Sequence, residues 1–364
     1  MRSRSFAGSS FLGLASRTLT DSSKIELVSA REVNALELQR FYKTAFPRRA
    51  EYLAAHWAWH YGGPEGENLS DWPLVAIDPS GQIVGHVGTI PSIFKRDSTT
   101  IQAAWFVDFF VSPHVRGSGV GGRLIRRVMK AAPLMMAIAV SEYSLPIFRK
   151  YGWREIPGTI RLSTVLSFKQ FTSAHHSPLR KISFPMLDGP VGYLRTWLLS
   201  RGRAYDAACD TKELDKSESL DCSMLGVDHN IWNSELIRWR LQSSQVGGRI
   251  FLHTAGDECA LTRVLSNFNR RELHVLSFGQ TTSTLIFKYL LGWAIEHKVS
   301  RVVMVTGDSE LKRVARKLLF VGSPMTPFLY STDEALLKGV SDFPPRFQMI
   351  DSDLDMAISD ESLS

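Results

Sequence analysis

The chain of 364 residues is 44% hydrophobic and 22% charged, a composition typical of a globular protein of about two domains. No apolar run approaches the roughly 20 residues that a membrane-spanning helix needs, so we expect no membrane span. The net charge of +7 is spread along the chain. It therefore favours an anionic ligand such as a nucleotide, and it does not by itself indicate nucleic-acid binding.

The two ends of the chain are predicted to be flexible tails. Residues 1–23 contain three arginines but no continuous apolar segment, so a tail is favoured and a transit peptide is the alternative. Residues 341–364 are predicted as an acidic tail, because the sequence after residue 347 has five acidic residues and no basic one. The three cysteines show neither disulfide nor zinc-site spacing, so we expect no metal and a cytoplasmic location.

The first half of the chain alternates strands and helices and is predicted as an α/β domain over residues 24–170. Strands are predicted at 25–28, 74–77, 82–90, 101–111, 134–140, 153–156 and 160–166, and helices at 30–42, around 52–59, from 120, and at 143–151. The helix that starts at residue 120 has one apolar stripe and one basic face.

The second half repeats this order after a connector predicted at 171–220. Residues 221–340 contain a helix at 232–241, strands at 249–253, 260–265, 272–278 and 301–305, and helices at 283–297 and 310–319. We interpret the repeat as an internal duplication, and chance recurrence of a helix followed by a hairpin is the alternative.

A glycine-rich loop, R-G-S-G-V-G at 116–121, joins the strand at 101–111 directly to the helix from 120. The first amides of a helix lack partners and lie at its positive dipole end, so they suit a phosphate, and glycines let the phosphate approach closely. A turn that merely caps the helix is the alternative. A P-loop is excluded because Gly-Lys-Ser/Thr is absent, and a dinucleotide loop because the next strand ends Ala-Val-Ser without an acidic residue.

The segment from Val111 through Arg116 to Leu124 resembles motif A of the GNAT acyltransferases, whose core is Q/R-x-x-G-x-G/A. The sequence D-F-F-V at 108–111 is similar to the same strand in polyamine acetyltransferases, and I-F-R-K-Y-G-W at 147–153 resembles the motif B ending L-Y-x-x-x-G-F. The resemblance covers about residues 25–167. It implies a mixed, twisted central sheet flanked by helices, and two tandem GNAT-like domains of which the second is degenerate.

The resemblance also implies acetyl-CoA as the co-substrate. Backbone groups of Phe109 and Val111 should then contact the acetyl and pantetheine portion, where the strands before and after the loop splay apart. The pyrophosphate should be wrapped by Arg116, Gly117, Ser118, Gly119, Val120 and Gly121, with Gly122 as an additional amide. The corresponding loop of the second half, L-S-F-G-Q-T-T at 276–282, has one glycine and no arginine, so we expect it to bind no CoA.

Acetyl transfer to an amine needs a neutral amine, and a carboxylate commonly removes the proton. Asp108 is the first candidate for this catalytic base, with strand-end or substrate-orienting roles as the alternative, and Glu142 is the second. The leaving thiolate is protonated in many relatives by a tyrosine at the position of Phe148, so this chain departs from the family there.

These features predict an acyltransferase that moves an acetyl group from acetyl-CoA to a small-molecule amine, such as an amino sugar. The alternatives are a non-catalytic acyl-CoA-binding scaffold and an aminoacyl-tRNA-dependent transferase of the tandem type. Trp57, Trp59 and Trp239 are predicted as core side chains, with stacking on a sugar as the alternative.

Overall fold

The protein contains two similar mixed sheets with helices packed against them, which confirms the predicted α/β fold. The structure, a computed structural model, describes residues 24–47, 49–63, 72–96, 99–167, 209–214, 234–242, 248–267, 270–279, 284–342 and 347–349. The helices are α1 (Ala35–Ala45), α2 (Ala50–Gly62), α3 (Val120–Val128), α4 (Leu145–Lys150), α5 (Ser234–Gln242), α6 (Thr284–Glu296), α7 (Ser309–Lys317) and α8 (Glu334–Asp342).

The two sheets have the same strand order. Within the described residues, the first sheet runs β1 (Glu26–Ser29), β2 (Leu74–Ile77), β3 (Ile83–Arg96), β4 (Thr99–Val111), β5 (Leu134–Ala137), β14 (Phe328–Tyr330) and β6 (Arg154–Glu155). The second runs β8 (Cys209–Glu213), β9 (Arg249–Ala255), β10 (Glu258–Asn267), β11 (Arg270–Phe278), β12 (Arg301–Thr306), β7 (Ile160–Val165) and β13 (Val321–Pro324). In each sheet the fourth and fifth strands are parallel and the other neighbours are antiparallel. The predicted repeat therefore appears as a repeated topology.

The two halves exchange one strand each. β7 was predicted to close the first domain, but it pairs with β12 and β13 of the second sheet. Conversely, β14 from the second half lies between β5 and β6 of the first sheet. The prediction that residues 160–166 belong to the first sheet is therefore wrong, because strand pairing is decided by neighbours far away in sequence.

We expect that neither half folds without the other, because each fragment lacks an inner strand of its own sheet. Fragments 1–190 and 191–364 should aggregate when produced singly, since the missing strand leaves unpaired strand edges. Produced together, they should co-purify as a one-to-one complex, which size-exclusion chromatography would detect. A folded, monomeric first fragment with a dispersed NMR spectrum would contradict the exchange.

Three segments differ from their predicted structure: the connector, the C-terminal tail and the start of α1. Residues 209–213, assigned to the connector, form the edge strand β8. Phe347 and Met349, assigned to the acidic tail, are 1% and 2% exposed because both are apolar and enter the core. Helix α1 starts at residue 35 rather than 30, since the Asn34 side chain accepts a hydrogen bond from the amide of residue 36 at 2.8 Å and caps the helix there. Residues 341 and 342, also assigned to the acidic tail, form the end of α8. Apart from these and residues 347–349, both predicted tails lie outside the described residues.

Helix α5 packs between the two sheets. Its Trp239 is buried with the core of the first sheet, whereas Ile237 belongs to the core of the second. The Trp59 and Trp239 rings lie 5.1 Å apart, and the indole N–H of Trp239 donates to the Trp59 carbonyl at 3.2 Å. These two tryptophans thus join the halves by packing on each other, as the core interpretation predicts.

Candidate active site

A cavity opens in the first sheet where β4 and β5 separate. The two strands pair only from Ala103 with Leu134 to Trp105 with Met136, and beyond that point they diverge. The opening holds a cavity of about 270 Å³, lined by residues 105–109 and 137–141 together with Arg49, Ser144 and Phe148. A backbone edge without a strand partner in a concave site is suited to hydrogen-bond an elongated ligand.

The glycine loop lies at the end of β4 and forms the start of α3. Gly117 and Gly119 have φ of 88° and 93°, values that side chains other than glycine rarely adopt. The Arg123 amide donates to the Gly119 carbonyl at 3.1 Å and is the first to bond within the helix. The preceding amides of Val120, Gly121 and Gly122 therefore form the unpaired positive end of the helix.

Other groups of the loop stabilise its own shape. The Ser118 amide and hydroxyl both donate to the Val115 carbonyl, at 3.2 and 2.7 Å. The Arg116 Nε donates to the Val111 carbonyl at 3.0 Å. The Ser112 amide donates to Val84 on β3, so by strand alternation the Val111 N–H points away from β3, toward the opening.

A β-bulge in β4 places Asp108 beside this opening. The register with β3 shifts so that two β4 residues, 108 and 109, oppose one β3 residue. Asp108 has φ of 52°, a strained value for a residue other than glycine. His86 Nδ1 donates to the Asp108 carbonyl at 2.8 Å and fixes the bulge. Burial lowers the pKa of His86 to about 4, so this histidine is neutral near pH 7.

The Asp108 carboxylate is held in a buried polar cluster. Arg49 Nη1 donates to Oδ1 at 2.5 Å, the Tyr61 hydroxyl donates to Oδ2 at 2.8 Å, and His60 Nε2 lies 3.6 Å from Oδ2. The carboxylate side chain is only 5% exposed. Burial would raise the pKa of Asp108, but the charge of Arg49 and the contact with His60 outweigh it and hold that pKa well below its usual range.

The depressed pKa predicts how stability depends on pH. The unfolded pKa of aspartate is about 3.9, so ionised Asp108 contributes stability above about pH 4, and this contribution is lost as the pH falls further. Asp108→Asn should therefore lose less stability than the parent protein between pH 5 and pH 3. Urea unfolding at several pH values measures this difference. Equal losses in both proteins would contradict an ionised, paired Asp108.

The structure brings together most of the predicted site residues. Asp108 and Phe109 line the cavity. Val111 and the glycine loop follow them in the chain, and a Cβ built on Gly121 lies 3.4 Å from both the Phe109 ring and the Val111 side chain. Glu142 is exposed and follows Ser141, which lines the cavity. Phe148 lines the cavity and is fully buried, with its ring centroid 4.6 Å from that of Trp153. Because it is a phenylalanine, it brings no hydroxyl to the cavity.

The sequence reasoning missed Arg49, His60 and Tyr61. An aspartate inside an apolar strand signals that a basic partner is required. Nothing in the sequence spacing selects Arg49 among 43 lysines and arginines, because it lies 59 residues from Asp108. Gly88 is a further missed contributor: a Cβ there would lie 2.2 Å from the Tyr61 ring, so glycine is needed for that ring to reach Asp108.

Comparison with known proteins finds a family model and solved structures that are similar to this chain. A model of the Acetyltransferase (GNAT) family matches residues 33–153. The structure of Saccharomyces cerevisiae N-myristoyltransferase with bound myristoyl-CoA is similar, with a TM-score of 0.54 and 10% identity over 85% of this chain and 83% of that one. A GCN5-related N-acetyltransferase from Anabaena variabilis has a TM-score of 0.54 and 10% identity over 85% and 73% of the two chains. No curated protein matches the sequence significantly.

Proposed function

We propose that this protein, whose residues 33–153 match the model of the GNAT acetyltransferase family, transfers an acetyl group from acetyl-CoA to a small-molecule amine. The family establishes an acyltransferase that uses acyl-CoA; the acetyl group and the amine acceptor are our proposal. The observation that carries it is the cavity between β4 and β5, because Phe109, which lines it, has its ring 3.4 Å from a Cβ built on Gly121 in the first turn of α3.

We place the diphosphate of acetyl-CoA at the amides of Val120, Gly121 and Gly122, with the loop from Arg116 to Gly119 around it. Hydrogen bonds to a charged group contribute roughly 1.5–3 kcal/mol each, so a few amides suffice for firm binding. The pantetheine then enters the opening along Phe109 and Val111. We assign to the Val111 N–H, which points away from β3, the role of donating to the thioester oxygen and to the oxyanion that forms from it.

The chemistry that follows is direct attack of the amine in a ternary complex. Asp108 is ionised at neutral pH and its low pKa makes it a weak base, so we assign it the role of accepting a hydrogen bond from the amine and orienting it. Glu142, at the rim, is the second candidate to accept the proton. Comparing kcat for Asp108→Asn and Glu142→Gln separates these roles. Without an acid at Phe148, release of a thiolate with a pKa of about 8.5 costs only about 2 kcal/mol at pH 7.

The experiment that tests the function is an assay of thiol release from acetyl-CoA with a panel of amines that includes amino sugars and polyamines. We expect amine-dependent release of free CoA and an acetylated product in equal amounts. A parallel series of longer acyl-CoA substrates tests the acetyl preference. Binding of CoA without any turnover would instead favour the non-catalytic scaffold, the alternative that Phe148 supports.

The remaining points concern metal ions, membrane spans, partners and location. Within the described residues no group of side chains could hold a metal ion, and no helix is long and apolar enough to cross a membrane. We propose a small-molecule acceptor and no nucleic-acid partner, on the same grounds of dispersed charge as above. The cytoplasmic location stays a prediction.

A further inference from the structure

The side chain of Tyr151 lies against the first turn of α3. Tyr151 follows the end of α4, where its amide donates to the Ile147 carbonyl at 3.1 Å. Its hydroxyl oxygen would be only 2.4 Å from a Cβ built on Gly122. Gly122 has no unusual φ, so the space taken by Tyr151 is the structural reason for glycine at this position.

The Tyr151 hydroxyl lies near the N-terminal end of α3. Cα–Cβ bonds in a helix tilt toward its N-terminus, so a side chain at residue 122 would cover the preceding turn. The Tyr151 hydroxyl occupies that place. It therefore lies on the same end of α3 as the unpaired amides of residues 120–122, at which we place the diphosphate.

Arg126 determines which way the hydroxyl donates. Its Nη1 donates to the Tyr151 hydroxyl oxygen at 2.7 Å, and the guanidinium carbon lies 5.6 Å from the ring centroid. A guanidinium only donates, so the hydroxyl accepts this bond and keeps its own hydrogen for another acceptor. Among the described residues, no acceptor for that hydrogen is found.

We propose that Tyr151 donates a hydrogen bond to the diphosphate of acyl-CoA, with Arg126 orienting the hydroxyl and Gly122 leaving room for it. This rests on the proposed acyl-CoA site and adds a side-chain donor to a phosphate site otherwise built from backbone amides. The Tyr151 hydroxyl occupies the place that a side chain at residue 122 would fill. The exposed Arg126 adds positive charge beside the same anion.

The test compares Tyr151→Phe with the parent protein by calorimetric titration. The dissociation constant of CoA should rise about tenfold, because one hydrogen bond to a charged group is lost. The same variant should bind pantetheine, which has no phosphate, as the parent does. Tyr143→Phe is the matched control: this tyrosine precedes α4 and is 89% exposed, so its hydroxyl should not affect CoA binding.

Dephospho-CoA keeps the diphosphate but lacks the 3′-phosphate, so it shows which of the two groups Tyr151 contacts. A tenfold loss that persists with dephospho-CoA supports contact with the diphosphate, whereas a loss that disappears would assign Tyr151 to the 3′-phosphate and overturn the proposal. Unchanged CoA binding in Tyr151→Phe, or an equal loss with pantetheine, would overturn it as well. The proposed function fails separately, if the parent protein neither binds CoA nor releases thiol.

Discussion

Replacing Gly119 with valine should weaken acetyl-CoA binding by about 100-fold. Gly119 has φ of 93°, a conformation that is a genuine outlier for a β-branched residue. A Cβ at this position meets nothing within 4 Å, so the valine would project into the open space that we assign to the diphosphate. The loop must then shift, and two hydrogen bonds to the phosphates at roughly 1.5 kcal/mol each account for the loss. Calorimetric titration with CoA measures it.

The control for Gly119→Val is Gly256→Val in the turn between β9 and β10. Gly256 also has a positive φ, 64°, and open space around a built Cβ, but it lies in the second sheet. Both variants should therefore show a similar decrease in melting temperature, and only Gly119→Val should lose CoA affinity. Unchanged affinity in a folded Gly119→Val protein would remove the basis for the cofactor site.

Arg49→Met should destabilise the protein by about 3–5 kcal/mol at pH 7, because it leaves the Asp108 carboxylate buried without its cationic partner. Methionine keeps most of the side-chain volume, so the effect reports the charge and its hydrogen bonds. The free energy of unfolding from urea titration measures it. Lowering the pH should reduce the penalty, since protonation of Asp108 removes the uncompensated charge.

Two further variants test the physical reason for the effect of Arg49→Met. The double variant Arg49→Met/Asp108→Asn should recover much of the stability, because no buried charge remains. Arg313→Met removes an exposed ion pair with Glu310, and it should cost far less stability than Arg49→Met, because exposed ion pairs contribute little. If Arg49→Met cost as little as Arg313→Met, the Arg49–Asp108 pair would not be the buried interaction that we describe.

Local pattern was sufficient for most elements of the first half. The turn at Asp78 to Gly81 predicts the hairpin of β2 and β3, and the apolar stripe from Val120 predicts α3. The glycine loop was located for the same reason: its requirement for positive φ at Gly117 and Gly119 is a property of the residues themselves. Elements with little local signal were missed, namely β8, β13, β14 and α8.

The sequence by itself determined the secondary elements around the glycine loop, the repeat of the two halves and the family resemblance, because each depends on neighbours within a few residues. Only the tertiary structure decided that β7 and β14 are exchanged between the sheets, and that Arg49 and His60 hold Asp108 ionised. Those outcomes depend on contacts between strand edges, or between charged side chains, that are tens to hundreds of residues apart in the sequence. Propensity and periodicity carry no information about which distant partner will satisfy a buried strand or carboxylate.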